Sequence, residues 1–435
     1  MIKASISLQE LRRRIYRKAK SDKAHRFWGI FVHIAKMGTL REAYRLAKRN
    51  KGGPGIDGQT FADIESAGLD LFLAAIREDL ISGSYKPQKN RKVEIPKGNG
   101  KVRILQIPCI RDRVVQGALK LILEAIFEAD FCPNSYGFRP KRSPHRALAE
   151  VRRSVLRRMS TVVDVDLSCY FDTIRHSVLL DKIARRVQDP QVLRLIKLII
   201  KSAGKVGVPQ GGPLSLLAAN IYLNEVDWFF DGVRRKTAQG EYEAVNYHRF
   251  ADDIVITVSG HWTKRGWAER ALKRLMEQLD PLGVSLNMEK TRQVDLLKAE
   301  SFGFLGFDLR RVSKRNGQGH FILMTPKKKA RKEVKTKIRE IIRRGGATPA
   351  KEIVARINTT LAGWVNYFRV GNSSRAFSEV RDYVEMKVRT LLTRRKRRNK
   401  RSVGWRRWSN EYLYGVLRLF WDWKTAPLKN VEAYS

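Results

Sequence analysis

Two adjacent carboxylates, Asp252 and Asp253, lie within the apolar stretch RFADDIVI at residues 249–256. The residues that follow them, Ile254, Val255 and Ile256, are typical of a buried strand, whereas acidic residues are poor strand formers. Ionised groups are costly to bury unless they are paired or bound to a cation. The pair therefore indicates either a tight hairpin that lifts both charges out of the sheet or a site for a metal ion.

A second acidic strand end is found in VVDVDLSCYFD at residues 162–172. Because side chains alternate along a strand, Asp164 and Asp166 share one face, opposite that of the neighbouring valines. If this strand ends beside the hairpin, two or three carboxylates supply the hard oxygen ligands that Mg²⁺ prefers. Such a set can hold two Mg²⁺ ions for an in-line phosphoryl transfer. A calcium site or a purely structural turn is the alternative that the Asp-Asp pair alone leaves open.

The elements that must position these carboxylates follow from the apolar periodicity and the turn signals. Helices are predicted at 59–81, 111–129, 175–203, 214–233 and 263–280. Strands are predicted as a hairpin within 92–108, a buried strand at 160–168, a pair within 244–258 and further strands within 293–311. This mixture of elements predicts an α+β fold.

The charge of the chain indicates what it binds. Lys and Arg number 87 against 43 Asp and Glu, so the formal charge is +44. Such an excess attracts polyanions, and nucleic acid is the partner it favours over an anionic membrane surface. No run of about eighteen apolar residues exists and the N-terminus lacks the apolar core of a signal peptide, so we expect a non-secreted protein without a membrane partner. Three scattered cysteines and seven dispersed histidines argue against a zinc site.

Beyond about residue 325 the chain becomes basic and helical. Between residues 394 and 407, nine of fourteen residues are Lys or Arg and none is acidic. Positive charge for phosphates and flat rings for bases are what RNA binding needs. The aromatic residues near this run are Trp364, Tyr367, Phe368, Trp405 and Trp408. A solvated basic helix is the alternative for the charges, and burial in a helical core is the stronger expectation for the rings of the first three.

Taken in order, these segments resemble the reverse transcriptase and maturase proteins encoded by group II introns. RFADDIVI resembles the family's Tyr/Phe-Ala-Asp-Asp box with Phe250 in place of the usual Tyr, and DVDLSCYFDTIRH resembles its first palm motif. The other segments that resemble family motifs are KGGPGIDG, EIPKGNGKVRILQIPCIRDRVVQGAL, SYGFRPKRSPHRAL, VPQGGPLSLLAANIYLNEVD, LNMEKT, FGFLGF and LAGWVNYFRVG. The resemblance covers about residues 48–425 in the family's order.

The resemblance implies a metal site. Asp166, Asp252 and Asp253 correspond to the carboxylates that bind two Mg²⁺ ions, and the backbone carbonyl of Leu167 corresponds to a further ligand. Asp164 is the alternative to Asp166.

The resemblance also implies nucleotide and RNA contacts. Phe171 would exclude a 2′-hydroxyl by bulk, and Gln210 would contact the nucleotide or the template. Lys97 and Arg103 would clamp the triphosphate, with Lys101 as a substitute for one of them, and Lys290 would protonate the leaving pyrophosphate. The basic residues expected to bind RNA are Arg394, Arg395, Arg397, Arg398, Lys400 and Arg401.

The resemblance implies a right-hand polymerase fold. Residues 1–47 would form a basic helical extension, 48–312 the fingers and a palm with an antiparallel sheet, and 313–435 an α-helical thumb or X domain with a basic end. The implied activity is RNA-directed DNA synthesis, together with maturase binding of the protein's own group II intron RNA in splicing and retrohoming.

The implied partners are group II intron RNA, an RNA template with a DNA primer, target DNA and dNTPs, in the bacterial cytoplasm or nucleoid. The cysteine-bearing endonuclease of some relatives is missing, so nicking of target DNA is not expected. The alternatives are a domesticated relative that serves DNA repair or defence, and a splicing cofactor that only binds RNA.

Overall fold

The structure is a computed structural model, and it describes residues 6–98, 101–202, 204–238, 243–264, 266–314, 316–395 and 407–428. By its contacts the chain divides into two compact units. The first comprises Met1–Ser143, Val165–Ile256 and Gly266–Thr291, and the second comprises Pro144–Asp164, Thr257–Arg265 and Arg292–Ser435.

Helices make up most of the described residues of both units. In chain order they are α1 (Leu8–Ser21), α2 (Phe31–Ile34), α3 (Met37–Arg49), α4 (Phe61–Ala67), α5 (Leu69–Ser82), α6 (Ile110–Phe127), α7 (Pro144–Leu156), α8 (Tyr170–Thr173), α9 (His176–Ala184), α10 (Pro190–Lys201), α11 (Pro213–Thr237), α12 (Trp267–Leu279), α13 (Lys328–Arg344), α14 (Ala350–Phe368) and α15 (Ser374–Arg395). Short 3-10 helices occur at Trp262–Lys264, Asp280–Leu282 and Leu296–Lys298, and a π-helix at Tyr412–Val416.

The strands form three sheets. In chain order they are β1 (Arg91–Gly98), β2 (Lys101–Ile107), β3 (Thr161–Asp166), β4 (Val245–Phe250), β5 (Asp253–Val258), β6 (Arg292–Asp295), β7 (Ser301–Phe304), β8 (Phe307–Ser313) and β9 (His320–Pro326). Strands β1 and β2 pair alone, β4-β5-β3-β6 form a four-stranded sheet, and β7-β8-β9 form a third. The β1–β2, β3–β6, β7–β8 and β8–β9 pairs are antiparallel, so the prediction of an α+β fold with antiparallel sheets is confirmed.

Two long helices of the first unit show how the sequence sets its elements. The 25-residue helix α11 begins at Pro213, whose fixed φ and missing N–H suit the first turn of a helix. The 18-residue helix α6 is buried along most of its length, including Val114, Val115 and Ala118. These two helices pack against each other, and α11 also packs against β4. Helix α11 therefore supports the strand that leads into the acidic hairpin.

The helical part of the second unit has its own apolar core. Helices α13, α14 and α15 pack together, and the fully buried side chains of Ile338, Ile357 and Val384 lie between them.

Strand β9 pairs with β8 along its whole length, so this sheet continues past the boundary predicted at residue 312. Across the described residues, no helix is long and apolar enough to span a bilayer.

Candidate active site

The acidic hairpin answers the question raised by its sequence. Strand β4 ends at Phe250 and β5 begins at Asp253, so the two carboxylates lie at the turn between the strands. Asp252 is half-buried and Asp253 is exposed, whereas Ile254 is fully buried in the sheet. Ala251 adopts a left-handed φ of 58°, which non-glycine residues rarely do outside turns. The hairpin therefore lifts both charges out of the apolar core.

Strand β3 presents its acids as the alternation predicts. Val163 and Val165 are buried on one face, whereas Asp164 and Asp166 on the other face are partly exposed. Arg292 Nε donates to Asp164 Oδ2 at 3.4 Å. Burial raises the pKa of the Asp164 carboxyl, and the charge of Arg292 opposes that shift. Asp164 is thus engaged by an arginine within the second unit.

Asp166 closes the same strand in the first unit, where it meets the segment LNMEK. Its backbone carbonyl accepts from Asn287 N at 2.8 Å, and its Oδ2 accepts from Lys290 Nζ at 3.0 Å. The following residue, Leu167, forms an antiparallel bridge with Leu286. The ion pair is largely exposed, so it contributes little stability and its ammonium can be displaced or shared. The structure therefore brings Lys290 to the acid predicted to bind metal.

Strands β5 and β3 are neighbours in the sheet, so the acidic hairpin and the acidic strand end belong to adjacent strands. Burial raises the pKa of Tyr170, four residues beyond Asp166; the charge of Arg249 opposes this rise and that of Asp252 adds to it.

The donor set suits a hard cation, because Asp166, Asp252, Asp253 and the Leu167 carbonyl offer only oxygen atoms. Within the described ranges, no three acidic, histidine or cysteine side chains lie close enough together to form a preassembled metal site. Asp166 is paired with Lys290 instead. By the chemistry of their donor atoms these residues fit Mg²⁺.

A buried ionic network, which no local sequence pattern indicated, lies behind the hairpin. Arg249 and Asp227 are both fully buried and form a two-point ion pair, with Nε to Oδ1 at 2.7 Å and Nη2 to Oδ2 at 2.6 Å. Tyr247 donates its hydroxyl to Asp227 Oδ1 at 3.0 Å. Burial alone would lower the pKa of Arg249, but the carboxylate of Asp227 outweighs it and raises the pKa above its ordinary value.

The Pro-Gln-Gly turn brings two predicted nucleotide-contacting residues together. Gln210 donates from Nε2 to both carboxylate oxygens of Asp172 at 3.0 Å, and the backbone carbonyl of Phe171 accepts from Val208 N at 2.8 Å. A side chain at Gly211 would come within 2.7 Å of the Gln106 carbonyl, so this close approach to β2 requires glycine. Phe171 and Gln210 thus share one corner of the first unit.

Other predicted site residues are only partly described. The hairpin predicted within residues 92–108 is present as β1–β2, with Ile95 opposite Arg103, but the side chains of Lys97, Lys101 and Arg103 lie outside the described residues. Arg394 and Arg395 end α15 and are exposed. Arg395 Nη2 donates to the carbonyls of Gly346 and Thr348 at 2.9 and 2.5 Å. The remaining predicted RNA-binding residues, Arg397, Arg398, Lys400 and Arg401, lie outside the described residues, as does Trp405.

The aromatic residues of α14 pack inside the second unit. Phe368 is 5% exposed and its ring lies 5.0 Å from that of Phe307, and Trp364 packs against the helical core. Tyr367 donates its hydroxyl to the Leu305 carbonyl at 2.9 Å, and its own carbonyl lies 2.7 Å from His145 Nε2. Phe368 is therefore buried as expected, whereas Trp364 and Tyr367 are only partly buried.

Two further rings differ from the sequence-based expectation. Trp408, which the basic run suggested as a stacking ring, is buried. Trp421, which no sequence pattern had singled out, has an exposed ring.

Comparison with known proteins identifies both parts of the chain. Residues 95–309 match the family model described as reverse transcriptase (RNA-dependent DNA polymerase), and residues 331–412 match the model described as group II intron, maturase-specific domain. The predicted polymerase fingers and palm are therefore present, followed by the helical maturase domain.

Three relatives illustrate the similarity. Protein YkfC of Escherichia coli is 34% identical over 362 residues, covering 74% of this chain and 94% of YkfC. The group II intron-encoded protein LtrA of Lactococcus lactis is 28% identical over 390 residues, covering 72% of this chain and 63% of LtrA. Nuclear intron maturase 4, mitochondrial, of Arabidopsis thaliana is 24% identical over 294 residues, covering 62% of this chain and 35% of that protein. The chain belongs to the family of group II intron reverse transcriptases and maturases.

Proposed function

We propose that this protein extends a DNA primer on an RNA template, using Asp166, Asp252 and Asp253 to hold two Mg²⁺ ions with help from the Leu167 carbonyl. The observation that carries this proposal is the placement of an Asp-Asp turn on the strand next to the one that ends in Asp166. Bound there, two Mg²⁺ ions would supply activation of the primer hydroxyl and stabilisation of the leaving oxygen of the dNTP. A protein that only bound RNA would gain nothing from carboxylates facing a polyanion.

The residues near this turn would select and orient the nucleotide. Phe171 would exclude a 2′-hydroxyl by the bulk of its ring, and Gln210 would contact the nucleotide or the template. Gln210 is now paired with the neighbouring Asp172, which holds its amide at this corner. Lys97 and Arg103 would clamp the triphosphate, Lys as a point charge and Arg as a two-point fork.

Lys290 would serve as the proton donor to the leaving pyrophosphate. Its ammonium lies 3.0 Å from Asp166 Oδ2, within reach of the acid that would hold the metal. An ammonium held there carries a proton into the site. The same ion pair would release Lys290 toward the phosphates once Asp166 binds a cation.

The maturase domain would hold the protein's own group II intron RNA, assist its splicing and, with target DNA, support retrohoming. The proposed RNA-binding residues are Arg394, Arg395, Arg397, Arg398, Lys400 and Arg401, together with the basic segment before residue 48. The excess of 44 positive charges supports binding to a phosphate backbone. The proposed setting is the bacterial cytoplasm, at the nucleoid.

The test is primer extension on an RNA template in Mg²⁺ by the double variant Asp252→Asn with Asp253→Asn. We expect DNA synthesis to fall to background while intron RNA binding stays within a few-fold, because the acids are remote in sequence from the basic run. Asp164→Asn is the matched control, since Asp164 lies on the same strand and is paired with Arg292. Extension by the double variant would refute the metal assignment, and loss of synthesis in Asp164→Asn would move the third acid from Asp166 to Asp164.

A further inference from the structure

The buried ion pair of Arg249 and Asp227 is not explained by a contribution to the stability of the fold. Both side chains are fully removed from solvent. Replacing a buried ion pair by well-packed apolar residues is often neutral or stabilising, so such a pair is weak evidence for a role in stability. Its presence three residues before Asp252 calls for a different explanation.

The geometry of the guanidinium supplies that explanation. Two of its nitrogens are fixed by the Asp227 carboxylate, which leaves Nη1 pointing in a set direction. Nη1 donates to the backbone carbonyl of Ala251 at 2.9 Å and to Asn220 Oδ1 at 3.1 Å. Arg249 therefore ties helix α11, which carries Asp227 and Asn220, to the turn that carries Asp252 and Asp253.

The turn needs such a restraint. Ala251 has a left-handed φ of 58°, and a non-glycine residue keeps this conformation only where its surroundings impose it. The other side of the turn is held by the segment 134–137. Arg249 N donates to the Asn134 carbonyl at 3.0 Å, and Asn220 Nδ2 donates to the Gly137 carbonyl at 2.8 Å. One asparagine thus contacts both the arginine and the segment opposite it.

We propose that Arg249, oriented by Asp227 and Asn220, is a positioning residue that fixes the turn and thereby sets how tightly Asp252 and Asp253 bind Mg²⁺. This rests on the proposed metal role of the two acids. Partners that orient metal ligands typically affect metal affinity or activity by about 10-fold to 100-fold when they are replaced. Arg249 itself contacts neither substrate nor metal in this scheme.

The test compares Arg249→Lys with Tyr247→Phe. A lysine keeps the charge opposite Asp227 but lacks the planar fork that reaches the carboxylate and the Ala251 carbonyl together. Phenylalanine at residue 247 removes the hydroxyl bond to Asp227 and leaves the fork on the turn intact. Both changes disturb the buried network, and only the first disturbs the turn.

Two measurements on these variants test the proposal. For Arg249→Lys we expect the Mg²⁺ concentration at half-maximal primer extension to rise about tenfold or more, with the rate recovering in part at saturating Mg²⁺. We also expect faster hydrogen exchange of the backbone amides in residues 250–253 of the metal-free protein. Tyr247→Phe should match the wild type in both measurements.

The outcomes separate this proposal from the proposed function. Equal Mg²⁺ requirement and equal exchange in the two variants would overturn the role of Arg249. A wild-type protein that extends no primer at any Mg²⁺ concentration would refute the polymerase assignment, and the exchange measurement would still decide whether Arg249 holds the turn.

If Arg249→Lys does not fold, Asn220→Leu replaces it, because that change leaves the Arg249–Asp227 pair and removes the second acceptor of Nη1. Asn220→Leu should raise the Mg²⁺ concentration at half-maximal primer extension by a smaller factor than Arg249→Lys. An unchanged requirement would count against the proposal.

Discussion

Replacing Gly137 by alanine tests how closely the acidic turn is packed. A Cβ atom at residue 137 would lie 2.4 Å from Ala251 N and 3.1 Å from Ala251 Cα. Both are backbone atoms of the turn, so no side chain can rotate away to make room. The Ala251 carbonyl is held by Arg249 and the Gly137 carbonyl by Asn220, so neither segment is free to move.

The size of the effect follows from the overlap. Ordinary van der Waals contact with a Cβ begins at 3.4 Å, so a contact of 2.4 Å requires the turn to shift by about 1 Å. A misplacement of about 1 Å at reacting groups can reduce a rate about 100-fold. Inserting one methyl group into a close-packed site costs about 1–3 kcal/mol of stability. We expect Gly137→Ala to show both losses.

The assay is single-turnover primer extension at saturating dNTP and primer–template, with urea unfolding and intron RNA binding measured on the same preparation. The matched control is Gly232→Ala in α11, where an added Cβ would meet nothing within 4 Å. This control should be as active as the wild type and about 0.5–1 kcal/mol more stable, because alanine is favoured over glycine inside a helix. The RNA-binding affinity should be unchanged in both variants.

A Gly137→Ala variant with wild-type rate and wild-type stability would refute the packing argument. A loss of stability without a loss of rate would show that the turn tolerates displacement, and it would weaken the claim that its position matters for synthesis.

Two further predictions concern the nucleotide and the RNA. Phe171→Ala should admit ribonucleotides during primer extension because the proposed role of the ring is steric, and a variant as strict as the wild type would place the gate elsewhere. Replacing Arg394, Arg395, Arg397 and Arg398 by serine should weaken RNA binding and flatten its salt dependence, since each phosphate contact contributes a slope of about −0.7 to −0.9. In the control, where the same four residues are changed to lysine, the slope of RNA-binding affinity against salt concentration should be kept. An unchanged slope in the serine variant would show that the basic run at residues 394–407 is only a solvated surface.

The sequence predicted on which face of strand β3 the acids lie, because that signal is local. A strand has a period of two residues, so the buried Val163 and Val165 place Asp164 and Asp166 on the opposite face without any knowledge of the fold. The hairpin of β1 and β2 was equally predictable from its turn residues. The partners of the two acids were not, because Arg292 and Lys290 lie 128 and 124 residues away along the chain.

Arg249 shows why the rest of the site could not be predicted. An arginine in an apolar strand is ordinarily expected to reach solvent. It is fully buried here because Asp227 approaches it from α11, 22 residues earlier in the chain. No sequence pattern around Arg249 or Asp227 indicates that the other residue is its partner. For the same reason the exposure of Trp421 and the burial of Trp408 depend on tertiary packing alone.

The contact of Tyr367 with Leu305 bears on how such proteins can exchange parts. Leu305 lies in the stretch that matches the reverse transcriptase model, and Tyr367 in the stretch that matches the maturase model. Their hydrogen bond and the packing of Phe307 on Phe368 lie inside one compact unit. A recombinant that joins this polymerase segment to a foreign maturase segment within residues 310–330 would separate these partners. A chimera that keeps these contacts carries the β7–β9 sheet together with α14 of the same protein.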